Sequence, residues 1–125
     1  MSASIASTPV ALTIAGSDSS CGAGIQADLR MFAASGVFGT TVLTALTAQN
    51  PYQVTTVEEL SASFVKAQLE AVFDVMPISA LKTGMLWSAE IITTVAGWLA
   101  QAASLPSVVD PVMIATSGAK LITED

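Results

Sequence analysis

The sequence contains no histidine. That one absence removes histidine-based nucleophile triads, histidine metal sites and the commonest general base. Proton chemistry must therefore fall to carboxylates, to lysine or to the single cysteine, Cys21. One cysteine allows no disulfide within the chain, and nothing else suggests secretion. Basic residues are nearly as scarce. Arg30, Lys66, Lys82 and Lys120 are the whole set, scattered along a chain of formal charge −6. Phosphate backbones are held by clustered cations, so nucleic acid is not expected as a partner. No apolar run approaches the ~20 residues that span a bilayer, so no membrane partner is expected either. The opening MSASIASTP lacks the basic start and apolar centre of a secretory signal. A cytoplasmic protein is the default expectation.

What the chain does have is apolar mass: 52% of its 125 residues are hydrophobic and 11% are charged. That suffices for one domain with a real core and rules out a disordered chain. Residues 1–9 read as a flexible N-terminus and 10–125 as a single folded unit. Short β-branched runs alternate with longer amphipathic ones. Val10 to Ile14 reads as a strand, Ile25 to Ser35 as a helix stopped by Gly36, and Thr41 to Leu46 as a second strand. Thr56 with Glu59 three residues on has the form of a capping box. The helix expected after it would bury Leu60, Phe64, Leu69, Val72 and Phe73 and close at Pro77. Ser79 to Lys82 is a third expected strand. Ser88 should cap a third helix of about 15 residues, and Ser107 to Asp110 should form a fourth strand. The resulting βαβαβαβ alternation predicts an α/β protein with a parallel sheet covered by helices.

Asp18, Gln49 with Asn50, Thr83 with Gly84, and Asp110 all fall just past a predicted strand end. Ligands of open α/β sheets bind outside the carboxyl ends of the strands. Four strands that each deliver polar residues to one rim favour a small-molecule site over four unrelated loops.

The most distinctive stretch is AGSDSSCGAGIQADL, Ala15 to Leu29. Its GAGIQA (Gly22 to Ala27) formally fits the dinucleotide pattern, which needs an acidic residue about 20 residues further on. No Asp or Glu occurs between Asp28 and Glu58, and the dinucleotide reading fails there. A triphosphate P-loop counted from Gly16 meets Cys21 where its second glycine should be, and no lysine follows. What survives is the physics both motifs share: glycines allow close backbone approach, and a helix start directs free N–H groups at the loop. Such a loop holds a hydroxyl, a carbonyl or an anion, or simply turns the chain.

AGSDSSCGAGIQADL, TALTAQN (Thr44 to Asn50), KTGML (Lys82 to Leu86), VVDPVM (Val108 to Met113) and SGAKL (Ser117 to Leu121) occur in that order. Together they resemble the hydroxymethylpyrimidine/phosphomethylpyrimidine kinases of thiamine biosynthesis, in the ribokinase-like superfamily. The resemblance runs from about Val10 to the last residue. It implies a three-layer ribokinase-like α/β fold, of which this chain carries the N-terminal part. It also implies phosphorylation of 4-amino-5-hydroxymethyl-2-methylpyrimidine and of its monophosphate, with MgATP as phosphoryl donor. Mapped onto this sequence, the family's pattern makes Gln49 the reader of the pyrimidine edge. Gly16, Asp18, Ala23 and Asp28 lie around the substrate, Met85 and Val112 form apolar walls, and Asp110 stands near a magnesium ion, through water. Pyridoxal-type kinases of the superfamily share most of these motifs, and the intact AQN favours the pyrimidine. The catalytic and ATP-binding residues belong to a later segment that the sequence does not contain. The remainder of the kinase domain is thus an expected partner, and Asp125 falls where another helix would begin. Family members are often homodimers. Cys21 departs from the pattern, standing where the family has glycine or another small residue; in a left-handed conformation it would cost about 1 kcal/mol or more.

Overall fold

A computed structural model describes residues 8–115 and 117–124. Most of the expected flexible N-terminus and Asp125 lie outside them. Pro9 already belongs to the fold, since its carbonyl accepts the Phe38 N–H at 2.9 Å. The elements run β1 (Val10–Asp18), α1 (Gly24–Ala34), β2 (Phe38–Asn50), β3 (Gln53–Glu59), α2 (Ala62–Val75), β4 (Ile78–Thr83), α3 (Ala89–Gln101) and β5 (Ser107–Val109). They build one sheet in the order β3-β2-β1-β4-β5. β2, β1, β4 and β5 pair in parallel, while β3 runs antiparallel to β2.

The α/β alternation is as expected, with one correction. Thr56 and Glu59 do not cap a helix. They lie in β3, which pairs Ala45 with Glu59 and Asn50 with Gln53. β2 continues past Leu46 to Asn50, and the Asn50 Oδ1 then accepts the N–H groups of Tyr52 and Gln53 to turn a hairpin. The true cap of α2 is Ser61, whose Oγ accepts the Phe64 N–H. The helix phase shifts accordingly. Val65 and Leu69 are fully buried, Leu60, Val72 and Phe73 pack at the margin of the core, and Phe64 is exposed. Ser88 does cap α3, accepting the Ile91 N–H.

The alternation of β1 makes three layers. Leu12 and Ile14 face α2 and α3, forming a core with Val42, Val65, Leu69, Leu81, Ile91 and Val95. Thr13 faces the opposite side, where its hydroxyl bonds Asp28 of α1. A buried apolar side chain contributes about 1.5–3 kcal/mol, so this core holds the sheet rigid beneath its carboxyl rim. Edges are treated differently. Before β3 begins, the exposed edge of β2 is closed by Gln68 of α2, whose amide accepts the Leu43 N–H and donates to the Leu43 carbonyl. Among the described residues β5 has no such cover: Val108 and Val109 are 66% and 63% exposed at the sheet's far edge.

Candidate functional site

The site follows from how β1 ends. Register against β2 slips between Ala15 and Ser17, opening the sheet at Gly16. A Cβ on Gly16 would collide with the Met85 methyl group. Gly24, at φ +63°, starts α1 so close to this bend that its Cβ would lie 2.5 Å from the Gly16 carbonyl oxygen. Glycine at both positions brings loop and strand end into contact.

Asp18 then organises the loop. It is 3% exposed, and its carboxylate accepts the N–H groups of Ser20, Gly22 and Ala23 and the Ser20 hydroxyl at 2.7–3.0 Å. Burial works against ionisation, but the bonds from Ser20, Ala23 and Gly22 outweigh it and hold the carboxyl below the usual carboxylate range. Gln26 of α1 grips the same strand end, accepting the Asp18 N–H and donating to Ser17 Oγ. Cys21 sits at φ +62°, the left-handed conformation in which its Cβ is unfavourable. Its carbonyl accepts from Arg30 at 2.6 Å.

Above this loop lies a cavity of about 580 Å³, within the range of small-molecule sites. Gly16, Asp18, Ala23, Asp28, Gln49, Asn50, Met85, Asp110 and Val112, all named from the sequence, line it together. Gly84 lines it too, whereas Thr83 is the buried last residue of β4 and does not. Gln49 reaches the rim because β2 outruns β1. Thr47 Oγ1 lies 3.1 Å from Gln49 Oε1, and Ser19 fixes the Gln49 backbone through both N–H and carbonyl. Met85, 8% exposed, is anchored through its carbonyl by the Thr44 hydroxyl at 2.6 Å. Asp28 is bonded by Thr13 and by Lys82, a residue to which the sequence attached no role in the site. A donor-acceptor amide, a carboxylate and apolar walls suit a flat, polar-edged heterocycle.

Residues 18–125 match the family described as phosphomethylpyrimidine kinase. The chain belongs to that family. It is 53% identical over 116 residues to a hydroxymethylpyrimidine/phosphomethylpyrimidine kinase of Synechococcus elongatus, covering 93% of this chain and 44% of that one. The crystal structure of phosphomethylpyrimidine kinase from Clostridium difficile superposes with a TM-score of 0.83 at 50% identity, over 94% of this chain and 51% of the other. Pyridoxal kinase from Staphylococcus aureus, solved with AMP-PCP and pyridoxal, gives 0.74 at 40% identity, over 86% and 40%. The fold is therefore that of ribokinase-like kinases, and the chain spans about half the length of such relatives or less.

Among the described residues no three acidic or thiol side chains cluster as a metal site. Asp110 is exposed just past β5 with its N–H on the Thr83 carbonyl, and it lines the cavity along with Asp18 and Asp28, whose carboxylates already accept from protein donors. Magnesium commonly takes one or two carboxylates together with substrate phosphates and waters. Asp110 fits one contact of that kind and no more. None of the described helices is long and apolar enough to cross a membrane.

Proposed function

We propose that this chain forms the pyrimidine-binding part of a kinase that phosphorylates 4-amino-5-hydroxymethyl-2-methylpyrimidine and its monophosphate, with MgATP as donor, in thiamine diphosphate biosynthesis. The observation that carries the reading is the meeting of Gln49 and Asp28 over one cavity in a chain of this family. The Gln49 amide offers a donor and an acceptor side by side, the complement of an amino group beside a ring nitrogen. Met85 and Val112 would enclose the ring, and Gly16 and Ala23 would approach it with backbone alone. A site that pairs a buried edge in this way rejects ligands that lack it.

In the reaction the hydroxymethyl oxygen attacks the γ-phosphorus as the bond to the β-phosphate oxygen breaks. ADP leaves, and the hydroxyl proton passes to a base outside this chain. Phosphoryl transfer of this kind depends on alignment and charge stabilisation. This chain's part is to bind and orient the acceptor, and Asp110 is the carboxylate that would help hold magnesium, which would neutralise charge on the phosphates. The remainder of the kinase domain would extend the sheet from β5 and bring the ATP site. A cytoplasmic location would supply the ATP that this reading requires.

Calorimetric titration of the aminopyrimidine alcohol tests the binding role, and product formation with the remainder of the domain tests transfer. Saturable pyrimidine binding that is lost in Q49A is the expected result. Preference for pyridoxal, the ligand of the 40%-identical relative, would favour a pyridoxal-type kinase instead. Pyrimidine binding without turnover in the completed domain would leave a binding module.

A further inference from the structure

We propose that Lys82 is a positioning residue: it locks the Asp28 carboxylate as an acceptor for one N–H or O–H donor of the ligand and thereby sets which ligands the cavity prefers. The inference rests on the pyrimidine reading above. Lys82 Nζ lies 3.0 Å from each oxygen of Asp28, and Thr13 Oγ1 donates to Oδ2 at 2.7 Å. Three elements, β1, α1 and β4, thus converge on one carboxylate. The pair is largely shielded, with side-chain exposures of 24% for Lys82 and 17% for Asp28. The fold keeps room for it. A Cβ on Gly84 would stand 3.4 Å from Lys82 Nζ and 3.0 Å from the Ala15 Cβ, so glycine there leaves the ammonium its place.

The other cations are engaged elsewhere. Lys66 and Lys120 form exposed pairs with Glu70 and Glu124, and Arg30 holds the Cys21 carbonyl. Among the described residues Lys82 alone brings a positive charge to the cavity wall. A shielded carboxylate without a counter-charge is costly, and one with a single hydroxyl partner is free to rotate. Lys82 removes both problems. Oδ2 carries two donors and Oδ1 carries one, so Oδ1 keeps spare capacity to accept from a ligand. An ionised carboxylate accepts only, so it discriminates against a ligand lacking the matching donor.

The test titrates three ligands into the kinase domain containing this chain: the aminopyrimidine alcohol, its analogue without the amino group, and its analogue without the hydroxyl. Wild type is compared with D28N, K82R, and both K82M and K82Q, so that misfolding of one neutral variant leaves the other. Wild type should bind one analogue about tenfold or more weakly, the loss expected for a charge-assisted bond. D28N and the neutral Lys82 variants should erase that gap, and K82R should restore much of it. Equal weakening of all three ligands by the neutral variants would reduce Lys82 to a structural role and overturn the proposal. So would an unchanged gap, or a wild type that binds all three alike. A wild type that binds none of them sinks the pyrimidine reading, and this inference with it.

Discussion

Ser19 closes two hydrogen bonds on the backbone of Gln49: its hydroxyl donates to the carbonyl at 2.6 Å and accepts the N–H at 2.8 Å. One side chain thereby takes the place of a strand neighbour just beyond Asp18 and Thr47, the last paired residues of β1 and β2. Without it the backbone of the Gln49 segment keeps its pairing with β3, while Thr47 Oγ1 still reaches the Gln49 side chain. S19A should therefore weaken aminopyrimidine binding by about three- to tenfold, the value of one or two ordinary hydrogen bonds. The melting temperature should change little, because Ser19 is exposed. Calorimetry beside a thermal melt checks both; a large loss of stability with intact affinity would contradict the role.

The two close-packed glycines should fail differently. In G16A the new methyl group meets the flexible end of Met85, which can swing away into the cavity. The fold should survive while ligand affinity falls, as one wall moves inward. In G24A the methyl group meets backbone, the Gly16 carbonyl, at a left-handed φ. That strain has no outlet and should destabilise by about 2 kcal/mol or more. Chemical denaturation and ligand titration of both variants separate the cases. Equal stability loss in the two would show that Met85 cannot move.

Cys21 lies at φ +62° with its side chain exposed, so its Cβ bears strain with no packing to offset it. C21G should stabilise the fold by about 0.5–1 kcal/mol, the relief of left-handed strain less the added freedom of the unfolded chain. A urea titration measures this. A destabilised C21G would mean that the thiol contributes to the loop.

How much of this was legible in the sequence depended on distance along the chain. Asp18, Gln49, Gly84 and Asp110 could be assigned to one rim because turn residues and β-branched runs are local signals, and all four line the cavity, although β1 and β2 run on to Asp18 and Asn50 where strands ending at Ile14 and Leu46 were expected. The Thr56-to-Glu59 spacing is equally local and misled, because the same residues satisfy a strand once β2 supplies a partner. The true cap, Ser61, lies two residues past Glu59 and carries no stronger local signal. Lys82 was visible as a strand residue and as the start of the KTGML motif, with no role attached. Its partner Asp28 is 54 positions away and meets it only when β4 docks beside β1.

The Asp18 carboxylate supplies a pH dependence. Its folded-state pKa is lowered, so the unfolded chain takes up the proton more readily. The stability it adds is complete above the unfolded carboxylate range and disappears as pH falls through the folded value. Stability should thus decline in mild acid, and D18N should blunt that decline while lowering stability at neutral pH by about 1–2 kcal/mol through lost loop bonds. Denaturation series from pH 7 to pH 3 on both proteins test it. An unaltered acid profile in D18N would assign the effect to other carboxylates.

The last prediction concerns β5. It is three residues long, among the described residues pairs with β4 alone, and leaves Val108 and Val109 exposed, with Met113 and Ile114 also exposed just beyond. An uncovered sheet edge with apolar side chains is a template for further strands. If the rest of the kinase domain continues the sheet from here, V108K should leave the 125-residue chain folded, since that side chain is 66% exposed. The same change should reduce self-association of the isolated chain and weaken its recovery of phosphoryl transfer when mixed with the remainder. Light scattering reads the first effect and product formation the second. Full recovery of activity by V108K would move the junction between the two parts away from β5.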